Sequence, residues 1–428
     1  MNAGKLLTGF FEIILLFSAF LLTNLTASVI VQFPDLSGQN WIAWARIVVS
    51  IIIFLVLQIT LRSLWRPYLK AWEKQASLVA FLIYCFLTLI WTEYFEASVY
   101  ELSLMLLATL LGVYISVRYA PREVINLLRY FGIFCTAASF LLLLFYPSLA
   151  QLNNPEYNGA WRGIFWHRNH LGSLMAYFSM LFLLRLMMVR NDRLQFIFNT
   201  AFFILSTVLV VGSRSATGIL IYFLLNGTLI MTFLWLKLRR RLLRKHYLAI
   251  LITGGIAVVL SFLNLNFIFG LLGRESTLTG RVPLWTDLIS RVWAQKPVFG
   301  YGFGALWNRE EFRVSMQLRH GWAYPVLFSD NGYLDILLNT GLIGLLLFLA
   351  FFVVTGACCG KAFFKNTDLV SLFPLLTFVY VLLANISYSF LFELDQFVWM
   401  LLVIAAVLSA STLSGKPFPA GKLHLDAP

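Results

Sequence analysis

Charge is scarce in this sequence. Asp, Glu, Lys and Arg together make up 12% of its 428 residues, about half the share usual in a soluble globular chain. That much polar surface cannot cover a core drawn from the 60% of residues that are hydrophobic, and a mean hydropathy of +0.82 points to lipid as the solvent. A soluble, two- or three-domain reading of the length is thereby excluded. Negative charge is scarcer still, with 19 acidic residues against 32 basic ones. The resulting +13 does not describe a nucleic-acid binder, because the Lys and Arg residues are spread over short loops between apolar runs. That is the pattern of topology signals facing an anionic membrane surface. Cysteine is nearly absent: Cys85, Cys135, Cys358 and Cys359 lie in or at the ends of apolar segments, with no CxxC pair. No structural disulfide, thiol chemistry or cysteine-held metal is expected. No internal repeat or low-complexity stretch is present.

What the chain does have is long apolar runs. A helix needs about 20 apolar residues to cross the hydrocarbon, and such runs lie at roughly 8–31, 44–61, 76–92, 99–117, 126–146, 171–188, 195–212, 216–236, 247–269, 331–354, 371–389 and 395–412. The first follows Lys5 without a small-residue cleavage site, so it reads as an uncleaved helix. With both termini inside, the basic clusters around 62–74, 118–122, 190–193, 237–245, 361–365 and 416–422 all fall on the inner side. The short outer loops at 33–42 and 92–98 hold Asp35, Glu93 and Glu96 and no Lys or Arg, as the positive-inside rule requires. The expectation is an all-α polytopic membrane protein of about 12 transmembrane helices. It forms one domain over 1–428, with a long outer loop at 270–330 inserted as a cap. Within that loop Trp285, Leu288, Ile289, Val292 and Trp293 recur at helical spacing, which predicts an amphipathic helix suited to the membrane interface.

Several polar residues sit where lipid makes them costly or where the outer loops expose them. Arg214, in VVGSRSATG, lies between two apolar runs with almost no loop. It is either a snorkelling interfacial arginine or a fixed guanidinium facing an anion. Arg281 follows Gly280 at the start of the amphipathic helix, and is either a solvated charge or a second anion ligand. If both face one pocket, a diphosphate is the natural occupant, since guanidinium binds phosphate oxygens bidentately and keeps its charge. Arg162, His167, Arg168 and His170 add cationic or polar groups from the other outer loop. His167, His170, His320 and Asp330 are the candidate bases, with Asp287 behind them. Asp330 is alternatively the N-cap of the helix that follows. No carboxylate or cysteine cluster accompanies the two histidines at i, i+3, so a metal is not expected. GYGFG at 300–304 lacks a preceding strand and reads as a flexible turn rather than a nucleotide loop. Glu393 and Asp395 are candidate acidic partners for the arginines.

In order along the chain, RGIFWHRNHLG at 162–172, GSRSATG at 212–218, GRVPLW at 280–285, KPVFGYGFGALW at 296–307 and DNGYLDILLNTGLIG at 330–344 resemble the O-antigen ligase and O-antigen polymerase superfamily. NISYSFL at 385–391 is a weaker further match, and the likeness is greatest to the exopolysaccharide-polymerase branch. The resemblance implies a metal- and cofactor-independent glycosyltransferase of membrane helices, GT-C-like in architecture. Its donor is an undecaprenyl-diphosphate-linked oligosaccharide and its active site lies on the periplasmic side of the bacterial inner membrane. Carried onto this sequence, Arg214 and Arg281 bind the diphosphate, with Arg162, His167, Arg168, Asn169, His320 and Asn331 around them, and the base opens the 330–344 motif. Ligases of the superfamily usually place His before that Asn; here Asp330 precedes Asn331. This departure favours a polymerase acting on a glycan acceptor over a ligase acting on lipid A-core. The partners implied are the lipid-linked glycan, its acceptor, membrane lipids and chain-length regulator proteins, with no nucleic acid. A polysaccharide transporter is the alternative of another class, disfavoured by the few intramembrane charges.

Overall fold

The computed structural model describes residues 64–153, 157–189, 192–238, 281–321, 326–386, 388–391 and 396–415. Among them the regular structure is helical: α1 (Trp65–Glu73), α2 (Ala76–Leu87), α3 (Phe95–Arg118), α4 (Pro121–Phe145), α5 (Arg168–Met188), α6 (Arg193–Gly212) and α7 (Ala216–Leu238) come first. They are followed by α8 (Arg281–Asp287), α9 (Glu310–His320), α10 (Gly332–Asn366), α11 (Leu369–Ala384) and α12 (Phe397–Leu413). Helices α3, α4, α5, α6, α7 and α10 are each long and apolar enough to cross a membrane. The protein is a multi-pass, all-α membrane protein. Nine of the twelve predicted runs fall on described helices; those at 8–31, 44–61 and 247–269 lie outside the described residues, as do Glu393 and Asp395. One basic stretch read as an inner loop is in fact helical: α1 meets α2 at 85°.

Two helices are apolar all round and therefore central. Helix α12 is buried along nearly its whole length between α3, α10 and α11. Helix α5 packs along α6 and α7. Lipid removes the hydrophobic drive for helices to associate, so packing depends on close approach and interhelical hydrogen bonds. Both are present. Trp399 Nε1 donates to Thr109 Oγ1 at 2.8 Å, and the hydroxyls of Tyr177 and Thr377 share a 3.1 Å bond. Where α5 crosses α7, a Cβ on Gly218 would lie 2.6 Å from the Gly172 carbonyl carbon, so the two backbones meet directly. At one end of the bundle Lys365 Nζ donates to the Thr412 and Leu413 carbonyls and Lys74 Nζ to Ser414 Oγ, closing the last turn of α12 with cations.

The opposite end carries the cap, and one helix break ties it down. Helix α10 is interrupted at Gly341, whose φ is 66° and ψ is −170°. The break deprives the amides of Leu342 and Ile343 of the Leu338 and Asn339 carbonyls, their ordinary i−4 partners. Segment 297–302 takes up all four groups: Leu342 N donates to Pro297 O, Ile343 N to Val298 O, Tyr301 N to Leu338 O and Gly302 N to Asn339 O, at 2.9 to 3.3 Å. GYGFG, read from sequence as a flexible turn, is thus a hydrogen-bonded strap across a broken helix. Such a break is tolerated at membrane depth only when protein satisfies the freed groups.

The predicted amphipathic helix of the cap is present but shorter. Helix α8 ends at Asp287, and a π-turn (Leu288–Val292) and a 3-10 turn (Trp293–Gln295) follow it. Its buried face of Leu284, Leu288 and Val292 points into a small core with Tyr301, Leu306, Met316, Leu334 and Leu338, while Ile289 is exposed. The cap's basic residues, unexpected in a segment read from sequence as an outer loop, also find a reason. Lys296 and Arg309 pair with Glu93 at 2.7 and 3.5 Å, and Arg291 and Arg319 pair with Asp287 at 2.6 and 3.1 Å.

Candidate functional site

Three segments converge where the cap meets the bundle. The first is the loop leading into α5. His167 is the N-cap of that helix, its Nδ1 accepting from the Asn169 amide at 3.2 Å. The second is the tight α6–α7 turn. Ser215 Oγ donates to Asn169 Oδ1 at 2.9 Å and Arg168 hydrogen-bonds the Arg214 carbonyl, so HRNH and GSRS are knitted together. Trp161 N donates to Gly212 O at 3.0 Å and its ring lies so close over Gly212 that a Cβ there would overlap it. Asn169 is therefore occupied in holding this junction. The guanidinium of Arg168 sits 4.0 Å over the Tyr157 ring, and Arg162 Nε donates to Leu149 O at 2.9 Å.

The third segment is 329–331, at the start of α10. Asn331, not Asp330, is the N-cap: its Oδ1 accepts from the amides of Tyr333 and Leu334 at 3.0 and 3.1 Å. The N-cap alternative for Asp330 is overturned, and its carboxylate is free for another partner. That partner is Arg281, whose Nε lies 2.8 Å from Asp330 Oδ2, with the arginine side chain 13% and the aspartate 30% exposed. The turn is fixed from both sides. Trp285 Nε1, on α8, donates to Ser329 O at 2.7 Å, and Asp335 Oδ1 accepts from Ser329 N at 3.3 Å and Trp307 Nε1 at 2.8 Å.

An aromatic cluster joins the first segment to the third. The His167 ring stacks on Tyr388 at 5.9 Å and 13°, while Trp166 and Tyr388 each meet Phe328 at 5.4 Å. The 385–391 segment supplies Tyr388 and also wraps the start of α10, with Asn385 O accepting from Gly332 N at 2.9 Å and Ser389 Oγ from Asn331 N at 3.1 Å. Burial, then Arg168 and Arg281, push His167 down to about 3. It is a neutral imidazole at physiological pH, positioned by its neighbours.

Among the described cavities none is lined by both proposed diphosphate ligands. Arg214 borders a groove of about 430 Å³ with Gly159, Trp161, Thr207, Val208, Val211 and Gly212, and its Nη1 donates to Asn158 O at 3.2 Å. Val208 and Val211 are exposed, so this is a largely apolar surface groove with Arg214 at its mouth. Arg281 is at the cap, facing Asp330. His320 lies elsewhere in the cap, 3.6 Å from Asp287 and beside Arg319, in the wall of a separate cavity of about 460 Å³. His170 is buried on α5 against Phe165 and Phe390. Asp335, Trp166 and Tyr388 escaped the sequence reading. Asp335 stood inside the 330–344 motif as an acidic residue one helical turn after Asn331, which was the available signal.

Residues 201–349 match a family model described as O-Antigen ligase, about a third of the chain. A stretch of 155 residues is 28% identical to "Exopolysaccharide production protein ExoQ" of Rhizobium meliloti (strain 1021). The match spans 34% of this chain and 34% of that protein. The matched family segment contains Arg214, Arg281 and Asp330, whereas His167 and Tyr388 lie outside it and are packed onto it by the fold. Residues 201–349 are thus similar to the O-antigen ligase family, in line with the likeness to the ligase and polymerase superfamily drawn from the motifs.

Proposed function

We propose that this protein is a membrane glycosyltransferase that joins undecaprenyl-diphosphate-linked repeat units into exopolysaccharide or O-antigen at the periplasmic face of the inner membrane. The observation that carries the reading is the 2.8 Å contact between Arg281 and Asp330, a guanidinium and a carboxylate in one pair at the start of α10, taken together with the apolar groove that Arg214 borders. The groove suits a polyprenyl chain, and Arg214 at its mouth suits the first phosphate. The diphosphate then competes with Asp330 for Arg281. Once Arg281 turns to phosphate, the Asp330 carboxylate is released to take a proton.

The chemistry follows from those roles. An acceptor hydroxyl attacks the anomeric carbon, its proton passes to Asp330, and the bond from that carbon to the diphosphate oxygen breaks. The charge that develops on the leaving diphosphate is met by Arg281 and Arg214. No step needs a metal. A ligase would keep this donor side and change the acceptor to lipid A-core, and the description of the matching family model favours keeping that reading second. Chain-length regulator proteins are partners of the polymerase reading only.

The test is polymer made in cells lacking the native gene and supplied with variants. Asp330→Asn and Arg281→Gln each reach the membrane at wild-type levels but lower polymer yield by roughly 100-fold or more, the scale of losing a general base or a charge-stabilising donor. Full-length polymer from either variant contradicts the assigned roles. Polymer that forms only when lipid A-core is present converts the reading to ligase.

A further inference from the structure

A second cationic site lies at the other end of the bundle. Arg129, on α4, is only 4% exposed although it sits two turns into an apolar helix. Its Nη1 donates to Asn199 Oδ1 at 3.1 Å, Asn199 Nδ2 donates to Gln195 O at 2.6 Å, and Gln195 Oε1 accepts from Arg185 Nη2 at 3.0 Å. Two guanidiniums, from α4 and α5, are thus strung on one face of α6 through carboxamides. Carboxamides and the Tyr130 ring, 4.5 Å from the Arg129 guanidinium, are neutral. Among the described residues no carboxylate is within ion-pair distance of either arginine, and the Nε donors of both are buried without a partner. Buried charges are ordinarily paired. Among the described residues these two arginines have no anionic partner.

The missing anion is not the substrate of the site already described. Arg185 is 17 residues beyond Arg168 along α5, roughly 26 Å at the helical rise. It lies at the end of the bundle that collects Arg66, Lys70, Lys74, Arg118, Arg122 and Lys365, the inner side by charge. The flanking surface of α6 is apolar and open, with Leu194, Phe196, Ile197 and Phe198 all exposed. A headgroup held by the guanidiniums would lay its acyl chains there.

We infer that Arg129 and Arg185, bridged by Asn199 and Gln195, form a binding site for the phosphodiester of an anionic phospholipid in the leaflet opposite the Arg281–Asp330 pair. The lipid neutralises the buried Arg129 and the half-buried Arg185 and pins α6 against α4 and α5.

The full-length protein, purified and delipidated in detergent, is examined by native mass spectrometry with phosphatidylglycerol, phosphatidylethanolamine and inorganic phosphate as probes. One phosphatidylglycerol is retained roughly tenfold more strongly than phosphatidylethanolamine, and its retention falls by a similar factor in Arg129→Gln. Arg185→Gln, at a half-buried position that tolerates change, shows the same loss if Arg129→Gln does not fold. Arg185→Lys keeps most of the binding, and Arg66→Gln, another basic residue of that end, leaves it unchanged. Equal retention of the two lipids, or phosphatidylglycerol retention unaltered in Arg185→Gln, overturns the site. Displacement of the lipid by millimolar inorganic phosphate overturns the lipid as its source.

Discussion

Asp330 and Arg214 share a backbone conformation that most residues avoid, with φ of 58° and 50°. For Asp the left-handed region is accessible; for a long side chain such as Arg it costs about 1–2 kcal/mol. That cost is sustained where the fold over-determines it, and here the Arg214 carbonyl is held by Arg168, Ser215 Oγ donates to Asn169 and Ser213 Oγ donates to Val210 O. Arg214→Gly removes the strain and the cation together. We expect an unfolding temperature equal to or above wild type alongside lost polymer synthesis; a lowered temperature would mean that Arg214 is kept for packing. His167 makes a second case. Its folded pKa of about 3 lies below the ordinary 6.5, so below pH 6.5 the unfolded chain binds the extra proton. The stability from the neutral ring is complete above pH 6.5 and is lost as pH falls toward 3. Melting curves between pH 7 and 4 should show a steeper decline for wild type than for His167→Phe, which keeps the ring stack. Parallel curves would mean that the imidazole is not held neutral.

Among the elements, α10 decides how cap and bundle are joined. Its N-terminus presents Asp330 and Asn331, and its break at Gly341 receives the 297–302 strap. A Cβ at Gly341 would stand 2.2 Å from Val298 O, and a positive φ adds its own penalty. Gly341→Ala should therefore destabilise the fold by about 1–3 kcal/mol and lower activity by displacing the strap, read as a fall in unfolding temperature with weakened polymer formation. Unchanged stability would show that the break is not needed. The helices themselves were legible because about 20 apolar residues in a row have one reading. The break was not, because the 331–354 run is apolar on both sides of it and hydropathy does not report who takes a carbonyl. For the same reason GYGFG looked like a flexible turn: its partners are some 40 residues away. Asp330 was found by its place in a motif, but its pairing with Arg281 depends on α8 folding back over the start of α10. Asn331 won the cap because Asp330 turns left-handed and points away. His320 was read into the site, yet α9 delivers it to Asp287.

For the molecule as a whole, the sorting of charge should be visible as topology. One end gathers cations that close α12, whereas at the other the cap's basic residues are paired with Glu93, Asp287 and Asp330. Single cysteines placed at Ser315 and Lys70 in a cysteine-free background should label from opposite sides with an impermeant thiol reagent, Ser315 from outside. Labelling of both from one side would refute the arrangement. The central claim is that a diphosphate-binding arginine and a carboxylate base serve glycosyl transfer between lipid-linked units. It is tested most directly with purified protein in nanodiscs, given one lipid-diphosphate-linked repeat unit and no other acceptor, with products separated by size. The account predicts a ladder of lipid-linked oligomers that Asp330→Asn abolishes. An absent ladder with the native repeat unit, or a ladder undiminished in Asp330→Asn, would contradict it.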